Sequence, residues 1–134
     1  MKITIVYDNE VKKVGLRQGW GFSAFIEGQD VPTILFDTGA DSSTLLHNMR
    51  ELNIDPTSVE AIVISHAHGD HTGGLSEILK MNGSARLFLP SSFREALPGR
   101  DVTIVEDATE ICANIFSTGE LQAIEQSLAI KVDK

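Results

Sequence analysis

One stretch of the chain decides the fold: AIVISHAHGDHTGGL, residues 61–75. It opens with Ala61-Ile62-Val63-Ile64, a continuous apolar run in which three of the four residues are β-branched. Such a run predicts a short strand that is buried on both faces of a sheet. Three of the four histidines of the chain then follow within six residues, in the pattern His-x-His-x-Asp-His. The strand therefore carries a group of polar side chains to one end of a buried sheet.

The side chains of this motif suit a metal centre. Imidazole and carboxylate groups are ligands that zinc, iron and manganese accept. In an extended loop alternate residues point the same way, so His66 and His68 can bind one ion. Asp70 and His71 are adjacent and are expected to diverge, which suits a second ion beside the first. Glycines allow the backbone to turn around such ions, and the motif contains three: Gly69, Gly73 and Gly74.

The rest of the chain predicts an α/β fold. Leu45, Met49 and Leu52 recur at helical spacing and predict a helix over Asp41–Asn53, with Asp41, Ser42 or Ser43 as its N-cap. A second, short helix is predicted near 74–81 and a helical turn at Ser91–Ala96. Alternating or β-branched runs predict further strands, at residues 2–7, 22–27, 32–36, 86–89, 102–105, 111–116 and 128–132.

Size and composition exclude several classes of protein. The chain has 134 residues, 42% of them apolar and 22% charged, which is the composition of one globular domain. Its single cysteine, Cys112, rules out an internal disulfide and fits a reducing compartment. No apolar run reaches the ~18 residues of a membrane span, so a cytoplasmic location and no membrane partner are predicted. A net charge of −8 repels phosphate backbones, and we expect a small-molecule substrate rather than a nucleic acid.

Residues 65–75 resemble the metal-binding signature of the metallo-beta-lactamase superfamily. Phe36-Asp37-Thr38-Gly39 is similar to the earlier Asp-Thr-Gly motif of that superfamily. Three further segments resemble the branch of the dihydropterin-ribofuranosylaminobenzene phosphate synthase-like proteins: Val6-Tyr7-Asp8-Asn9, Gly19-Trp20-Gly21-Phe22-Ser23 and Ser117-Thr118-Gly119-Glu120. The resemblance implies that His66 and His68 bind a first metal ion, that Asp70 and His71 bind a second, and that zinc occupies both sites, with iron or manganese as alternatives.

The resemblance implies a metal-dependent hydrolase of ester, phosphoester or related bonds. A metal-bound hydroxide would be the nucleophile, and Asp70 would relay a proton to the leaving group. Two alternatives stay open: a non-catalytic metal-binding or interaction module, and a redox di-iron relative.

Three residues outside the motif are candidates for supporting roles. The family counterpart of Asp37 supports the metal loop, and a carboxylate at this strand end can orient the free N–H of a metal-bound imidazole; otherwise it is a turn aspartate. His47 lies off the apolar stripe of its helix and is interpreted as a surface residue. Trp20, between two glycines, either lines the mouth of the site or packs in the core.

The chain also departs from the family pattern. The superfamily domain has two αβ halves, with two sheets inside and helices outside, and the second half supplies further ligands. His71 is the last histidine here, so residues 1–134 are expected to form the N-terminal half of a metallo-beta-lactamase-type αββα sandwich, as a fragment, a split gene or a truncated homologue.

Two expectations follow from such a half-domain. One apolar sheet face should be bare, to be covered by a second copy in a homodimer or by a separate C-terminal half. Each ion would have only two protein ligands, so the isolated chain should be a poor catalyst. A late acidic residue could substitute for a missing ligand: Glu106, Asp107, Glu110 or, as the first candidate, Glu120.

Overall fold

A computed structural model of the chain describes residues 1–132. Six strands form one mixed sheet: β1 (Lys2–Tyr7), β2 (Ser23–Gly28), β3 (Val31–Phe36), β4 (Ala61–Val63), β5 (Arg86–Pro90) and β6 (Val102–Val105). They lie side by side in sequence order. The β1–β2 and β2–β3 pairs are antiparallel, whereas β3, β4, β5 and β6 run parallel. The predicted α/β class with a mixed sheet is confirmed.

The described residues form three α-helices: α1 (Ser42–Glu51), α2 (Gly69–Thr72) and α3 (Leu75–Met81). Helices α1 and α3 pack on one face of the sheet, whereas the four-residue α2 has no buried residue. Parallel strands need a crossover connection, and α1 links β3 to β4 whereas α2 and α3 link β4 to β5. Asp41 is the N-cap of α1, because its Oδ1 accepts a hydrogen bond from the Thr44 N–H at 2.7 Å. The apolar stripe of α1 packs with α3 and the sheet in one buried cluster, which includes Leu45, Met49, Ile62, Ile78 and Leu87.

A second, three-stranded antiparallel sheet packs on the opposite face. Its strands are β7 (Thr109–Cys112), β8 (Ile115–Ser117) and β9 (Leu128–Ile130). Ile111 and Ile115 from this sheet join Ile34 and Val63 from the large sheet in a second buried cluster. The expectation of a bare sheet face is therefore wrong over the centre of the large sheet. At its β1 edge, Ile3 and Ile5 remain exposed.

Two local predictions between residues 91 and 116 are wrong. Ser91–Ala96 does not form a helical turn; a single turn closes there, with the Phe93 N–H donating to the Pro90 carbonyl at 3.0 Å. The main-chain N–H and the hydroxyl of Ser91 donate to the Glu120 carboxylate, a long-range contact that holds the start of this segment and that no local pattern predicts. The stretch Ile111–Phe116 is not one strand, because Asn114 adopts a φ of 68° and reverses the chain between β7 and β8.

Within residues 1–132, none of the helices reaches the length and apolarity needed to cross a bilayer. The carboxyl ends of the parallel strands β3, β4 and β5 meet at one edge of the large sheet. Asp37 follows β3 there, and the histidine motif follows β4. The fold thus gathers the two motifs, which are about thirty positions apart in sequence, at a single edge.

Candidate metal centre

Three side chains of the motif converge at this edge. Ligand atoms of His66, Asp70 and His71 all lie within 4.8 Å of one another, and the three side chains are half-buried. The His71 Nε2 atom is 3.4 Å from Oδ2 of Asp70, so the expected divergence of these two residues is wrong. The physical reason is α2: residues 69–72 form a helical turn instead of an extended loop.

The fourth predicted ligand, His68, lies next to this group rather than in it. Its ring centroid is 4.5 Å from that of His66, with the two rings nearly perpendicular at 79°. His68 is exposed and stands at the N-cap position of α2. The structure therefore groups His66 with Asp70 and His71, whereas the sequence paired it with His68. The assignment of these residues as metal ligands stays a prediction.

Asp37 lies directly behind the convergent group. Its Oδ2 is 2.7 Å from Nδ1 of His71, and its Oδ1 accepts a hydrogen bond from the Ser65 N–H at 2.7 Å. Burial raises the pKa of the Asp37 carboxyl, and the hydrogen bonds from Ser65 and His71 oppose that rise. The residue has a φ of 59°, which aspartate tolerates better than most residues. This is the contact with an imidazole that the sequence predicts for a carboxylate at this strand end.

The two residues after Asp37 hold the main chain of the loop. The carbonyl of His71 accepts hydrogen bonds from the Thr38 N–H at 2.7 Å and from the Thr38 hydroxyl at 2.9 Å. The carbonyl of Gly39 accepts one from the Gly73 N–H at 2.8 Å. Every residue of the Asp-Thr-Gly motif therefore contacts the histidine loop, which explains physically why the two motifs occur together in this chain.

Close approach of the backbone explains two of the motif's three glycines. A Cβ at Gly73 would collide with the carbonyl of Ala40, and one at Gly74 would lie 2.6 Å from the Thr38 carbonyl oxygen. Gly69 is different, because a Cβ there would have no neighbour within 4 Å. None of the three adopts a positive φ, so the expectation that the turn needs the backbone freedom of glycine is wrong, and close packing is the reason at Gly73 and Gly74 alone.

Burial favours the neutral form of His66, the first histidine of the motif. It lowers the pKa of the His66 imidazole, and the neighbouring His71 and His68 rings lower it further. The His66 ring is held neutral, which is the state in which an imidazole binds a metal ion. Two imidazoles and a carboxylate whose ligand atoms lie within 4.8 Å of one another form a donor set that zinc, iron and manganese all accept. The residues present fit a divalent transition-metal ion.

Sequence reasoning missed two residues near the loop. The carboxylate of Glu125 lies 3.6 Å from Nδ1 of His66, while Glu120, the expected substitute ligand, instead accepts hydrogen bonds from the main-chain N–H and the hydroxyl of Ser91. The buried Gln126 donates from its side-chain amide to the carbonyls of Ile64 and Phe88. Neither Glu125 nor Gln126 stands in a periodic or motif pattern, so no local signal marks them.

Apolar side chains flank the site on two sides. A cleft of about 250 Å³ beside Asp70 and His71 is lined by Trp20 and Phe22. A second cleft, of about 320 Å³, lies beside His66 and is lined by Ile124 among others. Trp20 is 74% exposed, so it stands at the mouth of the site and not in the core, which decides between the two interpretations of its sequence context.

His47 and the single cysteine, Cys112, lie away from the centre. Nε2 of His47 is 2.7 Å from the carbonyl oxygen of Gly15, on the outer side of α1, in agreement with its interpretation as a residue outside the metal site. Cys112 is half-buried in β7, and burial raises the pKa of its thiol. A thiol held protonated is a weak nucleophile.

The fold is that of an α/β protein with a mixed sheet. Two imidazoles and a carboxylate that could hold a metal ion converge after its central parallel strand. Comparison with known proteins is consistent with that class. Residues 19–83 match the sequence profile of the metallo-beta-lactamase superfamily. Among solved structures, a quorum-quenching N-acyl homoserine lactone lactonase superposes with a TM-score of 0.61 at 20% identity, over 82% of this chain and 55% of that one.

Two curated relatives are similar in sequence. The 7,8-dihydropterin-6-methyl-4-(beta-D-ribofuranosyl)-aminobenzene-5'-phosphate synthase of Methanocaldococcus jannaschii is 43% identical over 136 residues, which is 82% of this chain and 46% of that protein. Ribonuclease Z of Nanoarchaeum equitans is 36% identical over 70 residues, which is 48% of this chain and 21% of that protein. The chain belongs to the metallo-beta-lactamase superfamily. It spans about half, or less, of the length of these curated relatives.

Proposed function

We propose that the chain is the metal-binding part of a metal-dependent hydrolase that cleaves an ester, phosphoester or related bond in a small molecule. The observation that carries this proposal is the convergence of His66, Asp70 and His71 within 4.8 Å at an edge that opens into a cleft. Zinc is the ion we propose, with iron and manganese as alternatives, because imidazole and carboxylate ligands suit all three. His68, in ring contact with His66, is the proposed further ligand for a second ion.

Each residue of the centre has its own role in this proposal. His66, His71 and Asp70 would hold the ion, which would supply a Lewis acid and lower the pKa of a bound water. Asp37 keeps the His71 ring in place through the 2.7 Å contact with Nδ1. The Asp70 side chain is 29% exposed, so its carboxylate reaches the cleft, where it can take a proton from the nucleophile and return it to the leaving group.

The walls of the site bear on the kind of substrate. Trp20 and Phe22 on one side, and Ile124 on the other, present apolar surface next to the polar centre. Pockets for small molecules combine apolar walls with a few convergent polar groups. A small molecule with a ring or an acyl chain beside the scissile bond fits this arrangement.

Turnover of generic esters tests the proposal. Purified chain is loaded with zinc, or stripped by a chelator, and assayed on p-nitrophenyl acetate and on bis(p-nitrophenyl) phosphate. We expect slow, zinc-dependent hydrolysis that His71→Ala abolishes. His47→Ala is the matched control, because it removes an imidazole outside the centre, and it should leave the rate unchanged. Zinc bound at the motif without zinc-dependent turnover of either ester would contradict the hydrolase and favour a non-catalytic module.

A second candidate reaction comes from one relative. The Methanocaldococcus jannaschii protein is named a synthase, so the same centre in this chain is a candidate for a synthase reaction on a phosphorylated ribofuranosyl-aminobenzene. Such an enzyme would bind metal at the motif and leave simple esters intact. The test supplies that substrate together with a dihydropterin that carries a leaving group on its 6-methyl carbon, which the aminobenzene would displace. Formation of the joined product with release of the leaving group, in the absence of ester hydrolysis, would favour the synthase.

A further inference from the structure

We propose that Ser65 is a positioning residue whose hydroxyl, together with Asp37, sets the tautomer of His66 so that Nε2 is the atom free to bind a metal ion. This inference rests on the proposed metal centre. The three residues form one chain of contacts: the Ser65 hydroxyl is 2.6 Å from Oδ2 of Asp37 and 2.9 Å from Nδ1 of His66. Ser65 and Asp37 are 5% and 1% exposed, so water does not compete for these contacts.

The number of hydrogens decides the direction of each bond. A serine hydroxyl has one hydrogen to donate and lone pairs to accept with, and an ionised carboxylate only accepts. The Ser65 hydrogen therefore goes to Asp37, and the contact with Nδ1 of His66 is one in which the hydroxyl oxygen accepts. Nδ1 of His66 must then carry the ring hydrogen, which leaves the lone pair of Nε2 available for a metal ion.

The carboxylate of Asp37 acts directly on His71. Oδ2 of Asp37 lies 2.7 Å from Nδ1 of His71, so that ring also holds its hydrogen on Nδ1. Its Nε2 faces the Asp70 carboxylate at 3.4 Å. One buried carboxylate thus sets both imidazoles, His71 by direct contact and His66 through the hydroxyl of Ser65. Partners that orient a metal-binding imidazole in this way raise metal affinity.

One other group lies near Nδ1 of His66. Oε2 of Glu125 is 3.6 Å away, and its side chain is 55% exposed. That distance is too long for a hydrogen bond, and solvent weakens the attraction of an exposed carboxylate. Glu125 therefore serves as the alternative partner that the experiment must exclude.

Ser65→Ala removes the hydroxyl of Ser65 and leaves its main-chain contacts in place. The main-chain contacts of Ser65 stay, because its N–H donates to Asp37 Oδ1 at 2.7 Å and its carbonyl accepts from the Gln126 N–H at 2.9 Å. Ser65→Thr restores a hydroxyl at the same atom position. Ser23→Ala is the matched control, since the buried Ser23 hydroxyl donates to the main-chain carbonyl of Asp37 and not to a ring.

The readout is the histidine tautomer in metal-free protein, measured by NMR of ¹⁵N-labelled imidazoles at about pH 8, where a ring with an ordinary pKa of about 6.5 is neutral. In the unmodified chain we expect hydrogen on Nδ1 of both His66 and His71. Ser65→Ala should shift His66 toward the Nε2–H tautomer and leave His71 on Nδ1–H. Zinc affinity should fall about 10–100-fold, and Ser65→Thr should restore both. Ser23→Ala and Glu125→Gln should change neither.

Two results would overturn the inference. The first is hydrogen on Nε2 of His66 in the unmodified chain, which needs no variant to fold. The second is a shift of the His66 tautomer in Glu125→Gln but not in Ser65→Ala. Because the tautomer is read without metal, its outcome is separate from that of the proposed function: correct tautomers in a protein that binds no zinc would contradict the metal centre and leave the role of Ser65 intact.

Discussion

The Nδ1 atom of His71 lies 2.7 Å from Oδ2 of Asp37, across 34 positions of sequence. Asp37 is 1% exposed, and its carboxylate contacts the His71 ring and accepts hydrogen bonds from the main-chain N–H and the hydroxyl of Ser65. The contact joins the end of β3 to the turn of α2, so the geometry of the centre depends on a residue outside the histidine motif.

Asp37→Asn should weaken metal binding with the fold retained. The amide has nearly the same shape, but it places an NH₂ donor where the carboxylate accepts hydrogen bonds. We expect zinc affinity to fall about 10–100-fold, measured by competition with a chromogenic chelator. Asp55→Asn is the control, because Asp55 is an exposed carboxylate that caps the short 3₁₀ turn at Pro56–Ser58. Equal affinity for zinc in the two variants would show that Asp37 does not support the centre.

Gly73→Ala and Gly69→Ala should differ sharply although the two glycines flank the same helical turn. A methyl group at Gly73 collides with the Ala40 carbonyl, whereas one at Gly69 meets open space. The first must push α2 away from the Asp-Thr-Gly segment, and we expect zinc affinity to fall about 10-fold or more. Gly69→Ala should stay within about twofold of the unmodified chain, well under the ~1.4 kcal/mol of a tenfold change. Similar losses in both variants would contradict close packing as the reason for Gly73.

Gln126→Leu should destabilise the fold. The buried Gln126 side chain accepts from the Ser117 hydroxyl at 2.6 Å and donates to the Ile64 carbonyl at 2.8 Å. Leucine leaves both groups buried without these partners, at a cost of about 1–3 kcal/mol for each. Urea unfolding should show the loss, and Gln18→Leu, at an exposed position, should be within about 0.5 kcal/mol of the unmodified chain. No difference between the two variants would show that Gln126 does not tie the sheets together.

The N-cap of α1 should make stability depend on pH. The Thr44 N–H, with help from the Tyr7 hydroxyl, lowers the pKa of the Asp41 carboxyl. A folded pKa below the unfolded one gives stability that is present above the unfolded value and is lost as pH falls through the folded value. Asp41→Ala should therefore cost about 0.5–2 kcal/mol near neutral pH and much less near about pH 2. A cost that does not change with pH, measured by urea unfolding, would contradict this prediction.

Much of the fold could be predicted because its signals are local. The apolar run 61–64 and the stripe of α1 show their periods in sequence, and Asp41 stands where a helix needs a cap. The place of the motif after a buried strand follows from the same run. The contact between Asp37 and an imidazole could also be predicted from sequence. A carboxylate that directly follows a parallel strand lies at the sheet edge where the histidine loop begins.

The arrangement of the ligands could not be predicted in the same way. Residues 69–72 are a four-residue polar turn, too short to show a helical period, and that turn brings Asp70 to His71 instead of apart from it. Gln126 reaches Ile64 across 62 positions, because the chain from β8 to β9 crosses the end of β4. Such a contact leaves no trace in a window of neighbouring residues.

The central claim is that His66, Asp70 and His71 together bind one divalent ion. Crystals of the full chain grown with zinc, and measured at the zinc absorption edge, locate the ion directly by its anomalous signal. The account predicts a peak at about 2.0–2.2 Å from Nε2 of His66, Nε2 of His71 and a carboxylate oxygen of Asp70. A zinc peak elsewhere, with these three side chains left without an ion, would contradict it.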